Sequence, residues 1–234
     1  MGTRVVKGVL TSWCWLLSLM PVAVLDGLAR LLSVLLFDVL RLRRRLVLKN
    51  LQIAFGENKT QAERIRIGRQ SYYNFILTIF EFFVSRFRDP VPGVTLVDRD
   101  NIDGALAKGR GAVIVCCHLG NWETMGAACT RLIMPAHVFV KQVGSGAVAE
   151  FVEELRARVG FLCVKRKQKG DGFKAAVAAF AKGEIIGFVM DQARNDLKLP
   201  FFGRPAKTNG SLAALVLKKD PPLVPAFIVR DKTF

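Results

Sequence analysis

Residues 111–124 read GAVIVCCHLGNWET, and the fold turns on how that run is parsed. GAVIVCC is short, apolar and rich in β-branched side chains, the composition of a strand covered on both faces. It stops at His118, one of only two histidines in the chain. Gly120 permits a turn, Asn121 has the side chain of a helix N-cap, and Glu123 then falls in the first helical turn. Strand, turn and helix in such quick succession begin a βα unit. Ligands of open α/β sheets bind beyond the carboxyl ends of the strands, which is where this parse puts His118.

Outward from that run the pattern repeats. Strands are predicted at 112–116, 137–141, 161–165, 185–190 and 223–229, alternating with helices at 122–133, 147–159, 172–182 and 209–219. Short apolar strands separated by helices predict an α/β fold of three layers, αβα, around a mainly parallel central sheet. Strands 112–116 and 185–190 are expected to be neighbours or near neighbours, with His118 and Asp191 opening at the same edge. Upstream, residues 60–88 read as a helix that starts at a capping box, Thr60 with Glu63, and is broken by Asp89, Pro90, Pro92 and Gly93. The Rossmann glycine fingerprint and the Walker lysine loop are both absent.

The first 45 residues have a different character. Residues 9–25, VLTSWCWLLSLMPVAVL, carry no charge and lie at the short limit for crossing a bilayer. Leucines and valines then hold one helical face through residue 40, followed by Arg41, Arg43, Arg44, Arg45 and Lys49. By the positive-inside rule this cluster stays in the cytoplasm, where it can grip anionic lipid. Residues 1–45 are therefore expected to form a membrane-anchoring segment, by an interfacial helix or a single span. Residues 46–234 would form the α/β domain, placed on the cytoplasmic face of the membrane.

Composition narrows the partners. The net charge of +16 seeks an anionic one: nucleic acid, phospholipid, a phosphorylated substrate or an acidic carrier. The hydrophobic fraction of 51% and the presence of only two tyrosines favour membrane over nucleic acid, since base stacking relies on exposed aromatics. Five cysteines with no framework spacing suit a reducing compartment.

The turn through Gly120 could bring the Glu123 carboxylate against the imidazole of His118, fixing its tautomer and leaving the other ring nitrogen as a general base. Cys116 shares a strand face with His118, so a covalent thiol mechanism is the rival. Basic residues cluster from Arg156 to Lys174, with Arg156 and Arg166 flanking a strand at the expected active edge. Asp191 stands at a strand end like His118, available to an arginine or to the histidine. His137 opens a strand with no motif around it and reads as structural.

HLGNWE, 118–123, resembles the His-x-x-x-x-Asp/Glu signature of glycerolipid acyltransferases. In this form it is similar to the branch holding the bacterial lipid A late acyltransferases and the mycobacterial phosphatidylinositol mannoside acyltransferases. Three further blocks resemble that branch: RRRLVLKNLQIAFGE at 43–57, GEIIGFVMDQ at 183–192 and LPFFGRPAKTNGSLAALVLK at 199–218. The resemblance implies transfer of an acyl group from a thioester to a lipid hydroxyl, with His118 as base and Glu123 orienting it. It implies no cofactor beyond the acyl donor as co-substrate, acyl carrier protein ahead of coenzyme A, and no metal. The acceptor would be a lipid A precursor, with a phosphatidylinositol mannoside or a lysophospholipid as the alternatives; a catalytically inactive lipid-binding relative is the other reading. The family's Leu-Arg-x-Arg-x-Gly segment puts a substrate-site arginine at Arg156 or Arg158, and Arg156 is preferred. Lys141 stands where the family usually has arginine, exchanging a flat bidentate group for a point charge at the substrate site. With Lys141 and Arg166, Arg156 would hold phosphates of the acceptor or donor, while Asp191, the carboxylate of the family's Asp-Gln block, would pair with one of those arginines or stand as a second carboxylate near the histidine. Family members run longer than this sequence, so the resemblance implies a last strand and helices beyond Phe234.

Overall fold

The alternation of apolar strands with helices builds a central sheet in the computed structural model, which describes residues 2–139, 143–164, 171–193 and 196–231. The described strands are β1 (Ala112–Cys116), β2 (Ala136–Phe139), β3 (Leu162–Val164), β4 (Ile185–Val189), β5 (Leu197–Phe201), β6 (Arg204–Thr208) and β7 (Leu223–Pro225). Five of them form one sheet in the order β3-β2-β4-β1-β7, and every pairing in it is parallel. The expected neighbours β1 and β4 are hydrogen-bonded in register, Ala112 opposite Ile185 through Cys116 opposite Val189.

Adjacent β4 residues show why the strands are apolar throughout. Ile185 packs with Ala112, Ile114, Ala136 and Cys129 on one face. Ile186 packs on the other with Ala176, Ala179 and Leu215. Both isoleucines are fully buried, as a sheet sandwiched between helices requires. One outer layer holds α5 (Asp100–Leu106), α6 (Trp122–Leu132) and α7 (Gly146–Arg158); the other holds α8 (Asp171–Ala181) and α9 (Ser211–Lys219).

The N-terminal third is helical: α1 (Thr3–Leu19), α2 (Val22–Val34) running into a π-helical turn at Leu35–Val39, α3 (Arg44–Phe55) and α4 (Gln61–Val84). The capping box at the start of α4 forms as expected, with Thr60 accepting from the Glu63 backbone and Glu63 accepting in return. The uncharged run 9–25 is not one helix. Met20 is extended ahead of Pro21, which disfavours helical backbone before it, and the two helices meet at 114°. No single helix among the described residues is long and apolar enough to cross a membrane, although the bent pair together has the length and composition.

These helices pack on the rest of the chain. Leu17, Leu25 and Ala29 are buried with Tyr73, Ile76, Leu77 and Phe80 of α4. Cys14 is buried with Phe151 and Leu155 of α7, and Lys7 bridges Glu150 and Glu154. On the far side of α1 an apolar stripe at Val5, Val9, Trp13 and Leu16 remains exposed.

Two elements depart from expectation. Residues 199–208, for which no strand or helix is predicted, fold with 197 and 198 as an antiparallel hairpin, β5 with β6, outside the main sheet. The strand predicted at 223–229 ends at Pro225, and the chain beyond it runs past the Gly120 turn instead.

Candidate active site

Register alone brings the site together. Continuing the β1–β4 pairing two positions beyond Cys116 and Val189 sets His118 opposite Asp191, just past the carboxyl edge of the sheet. Asp191 then grips the histidine twice: Oδ2 accepts from the His118 backbone N–H at 3.0 Å, and Oδ1 lies 2.7 Å from Nδ1 of the ring. A carboxylate on Nδ1 calls for the proton there, so Nε2 carries the free lone pair. The Gln192 amide nitrogen stands 3.4 Å from Nε2, and the Trp122 indole meets the ring edge-on at 4.8 Å between centroids.

Glu123 is elsewhere. The expectation that it would turn back on the imidazole is corrected by the structure: both its oxygens accept from Arg156, from Nε at 2.8 Å and Nη2 at 2.5 Å. The physical reason is burial. Arg156 is an almost fully enclosed cation, its side chain 9% exposed, and needs a carboxylate close by; Glu123, 12% exposed, is the one α6 supplies. Burial works to lower the Arg156 pKa, but the hydrogen bonds and charge of Glu123 outweigh it and hold the guanidinium above its ordinary value.

A third group of contacts fixes the turn between the two pairs. Asn121 caps α6, accepting from the Thr124 N–H at 3.0 Å. Its own amide donates to Glu81 of α4 at 2.8 Å, and Glu81 is clasped by Arg230 through two hydrogen bonds. Thr78 donates to the Gly120 carbonyl at 3.1 Å. Gly120 has φ of +60°, and a Cβ there would sit 2.1 Å from the Ile228 carbonyl oxygen, so both backbone and space require glycine. Sequence reasoning missed Glu81 and Arg230, though a lone carboxylate inside the apolar run IFEFFV was a visible signal.

His118, Trp122, Glu123, Arg156, Asp191 and Gln192 all border one cavity of about 1670 Å³. It runs over the sheet face lined by Ile114, Cys116 and Val138 and beneath Phe82 and Phe161. Ordinary small-molecule sites occupy roughly 300–1,000 Å³, so this one suits a larger, mainly apolar ligand. Among its polar lining groups, His118 and Asp191 remain partly exposed, so the cavity opens to the surface there.

Cys116 faces the same cavity, but its thiol donates to the Phe188 carbonyl at 3.3 Å, and burial pushes its pKa up to about 12. Such a thiol is not ionised at neutral pH and makes a poor nucleophile. His137 pairs with Glu184 at 2.8 Å, away from the site. Lys141 and Arg166 lie outside the described residues. No cluster of three or more histidine, cysteine, aspartate or glutamate side chains suited to a metal ion occurs among the described residues.

The family model described as bacterial lipid A biosynthesis acyltransferase matches residues 7–234 of the chain. No curated protein matches it.

Proposed function

Starting from the fact that this chain belongs to the bacterial lipid A biosynthesis acyltransferase family and is an acyltransferase, we propose that it carries a fatty acyl group from a thioester donor to a hydroxyl of a lipid A precursor, with His118 as general base and Asp191 as its orienting carboxylate. The contact of Asp191 with both the ring and the backbone of His118 is the observation that carries this reading.

In the reaction, Nε2 of His118 takes the proton of the acceptor hydroxyl as its oxygen attacks the thioester carbonyl. Asp191, on Nδ1, stabilises the imidazolium that forms. Collapse of the tetrahedral intermediate breaks the carbon–sulfur bond, and the thiolate leaves with the proton returned by His118. No acyl-enzyme is needed, in keeping with a protonated Cys116. The Glu123–Arg156 pair serves by locking the first turn of α6 to α7, so that the turn carrying His118 is held at both ends. The apolar cavity accommodates the acyl chain.

The donor is acyl carrier protein rather than coenzyme A, the order the family resemblance implies; the net charge of +16 suits an acidic carrier and an anionic lipid alike. Residues 1–45 meet the cytoplasmic face of the inner membrane and residues 46–234 form the acyltransferase domain. The exposed apolar stripe on α1 and the cations Arg41, Arg43 and Arg45 beyond the π-helical turn support that contact. Purified enzyme given a lipid A precursor with each donor in turn tests the reading. Turnover with acyl carrier protein is expected; turnover with acyl-coenzyme A alone would overturn the donor assignment, and no acylation of the precursor with either donor would overturn the acceptor.

A further inference from the structure

The hairpin of β5 and β6 has no role in the chemistry above, and its residues do not suit water. A two-stranded hairpin standing alone is marginal, yet every residue of β5 is exposed. Leu197, Leu199 and Phe201 share one face with Ala206, and Phe201 and Phe202 are 66% and 57% exposed at the tip. The tip itself breaks a local rule. Phe202 and Gly203 both have positive φ, +49° and +70°, the geometry of a type I′ turn whose first position normally carries asparagine, aspartate or glycine. An aromatic side chain thus occupies a backbone position that disfavours it.

The other face is as unusual. Lys198 lies directly opposite Lys207, an arrangement of like charges that weakens a strand pair. Arg204, opposite Phe201 on the first face, adds a third cation at the tip, and residues 197–208 contain no aspartate or glutamate. Neither Lys198 nor Lys207 has an acidic partner among the described residues. The hairpin thus joins an apolar, aromatic tip and flank to unneutralised cations. Each feature is unfavourable in water, and both become favourable at an anionic bilayer, where aromatic side chains sit at the headgroup level and lysines meet lipid phosphates.

We propose that residues 197–208 form a second membrane contact, inserting Phe201 and Phe202 among the headgroups of an anionic lipid bilayer. Its position gives the contact a purpose. Leu197 follows Asp191 by six residues, a reach of at most about 20 Å for an extended chain. Asn209, the residue after β6, lines the cavity, and Leu197 lies against Gly210, so the base of the hairpin adjoins the cavity and would press it to the surface in which a lipid acceptor lies. An acidic protein would match the lysines but not the two exposed phenylalanines. The purpose rests on the acyltransferase reading above; the insertion itself does not.

The test uses the full chain with phosphatidylcholine–phosphatidylglycerol vesicles, with and without bromine on the acyl chains. In F202W, the emission added over that of the parent protein should shift to the blue on vesicle binding and be quenched by the brominated lipid. Added emission that is neither shifted nor quenched overturns the proposal, as does a shift produced by acyl carrier protein and not by vesicles. This readout needs no turnover, so its failure is separate from any failure of the acyl-transfer reading. With K198Q/K207Q, turnover of detergent-dispersed acceptor should match the parent. The salt-sensitive part of binding to anionic vesicles should weaken by about fivefold per cation removed. Unchanged vesicle binding in that variant would also overturn the proposal.

Discussion

Removing the charge of Glu123 should cost stability before it costs chemistry. In Glu123→Gln the amide can still meet one N–H of Arg156, but the guanidinium, 9% exposed, is left without its counter-charge. Breaking a buried ion pair by deleting one partner costs about 3–5 kcal/mol, because the survivor stays desolvated and unpaired. In a chain of this size each kcal/mol lowers the melting temperature by about 2–4 °C, so the midpoint should fall by on the order of 10 °C. Replacing both partners with apolar groups, Glu123→Leu with Arg156→Met, removes the stranded charge and should recover most of that loss. Thermal unfolding of parent, both single variants and the double variant in one detergent gives the full cycle. Turnover of Glu123→Gln, assayed well below its midpoint, should stay within about tenfold of the parent if the pair only positions the turn. A variant that melts like the parent but has lost turnover by about 10³ would refute this, and would return Glu123 to the chemistry.

Three other substitutions probe different links. Cys116→Ala should keep near-parental turnover, and iodoacetamide at pH 8 should leave Cys116 unmodified in the folded protein, since its thiol titrates only near 12; rapid alkylation detected by mass spectrometry would contradict this. Gly120→Ala must force a Cβ against the Ile228 carbonyl from a left-handed backbone, so it should cost both activity and thermal stability, and a parent-like enzyme would show the turn is not as described. The Glu63 carboxyl is pulled down to about 2 by the Thr60 backbone N–H first, then by Lys59 and the Thr60 hydroxyl. A lowered carboxylate pKa means stability present above the unfolded value near 4.5 and lost as pH falls toward 2, so the melting-temperature gap between parent and Glu63→Ala should close over that window.

The βα repeat was legible because covered strands must be apolar on both faces and because Gly, Asn and Pro punctuate them. The proximity of His118 and Asp191 was legible for the same reason: each ends an apolar strand, and ligand-side residues gather at that edge. Which carboxylate meets the imidazole was not. His118 and Glu123 are near in sequence, but the partner of Glu123 is set by Arg156, a cation whose burial depends on how α7 packs. The Glu81–Arg230 clasp joins residues 149 positions apart, beyond the reach of any local pattern. The hairpin was missed because its strands break the usual signals: two prolines face each other across it and no alternation leads to a core. The N-terminal run misled in the other direction. Its uninterrupted hydrophobicity hid the bend that Pro21 imposes, and only tertiary packing divides the stripe facing α4 and α7 from the one left exposed.

The central claim is that Asp191, not Glu123, is the carboxylate acting with His118, and the turnover of Asp191→Asn set against Glu123→Gln measures it most directly. Both variants are first shown to be folded at the assay temperature. An asparagine accepts less strongly from Nδ1 and can favour the wrong tautomer, which in a related arrangement costs about 10⁴ in turnover. The account predicts a loss of roughly 10³–10⁴ for Asp191→Asn and within about tenfold for Glu123→Gln. The reverse order, with Asp191→Asn active and Glu123→Gln dead though folded, would contradict it.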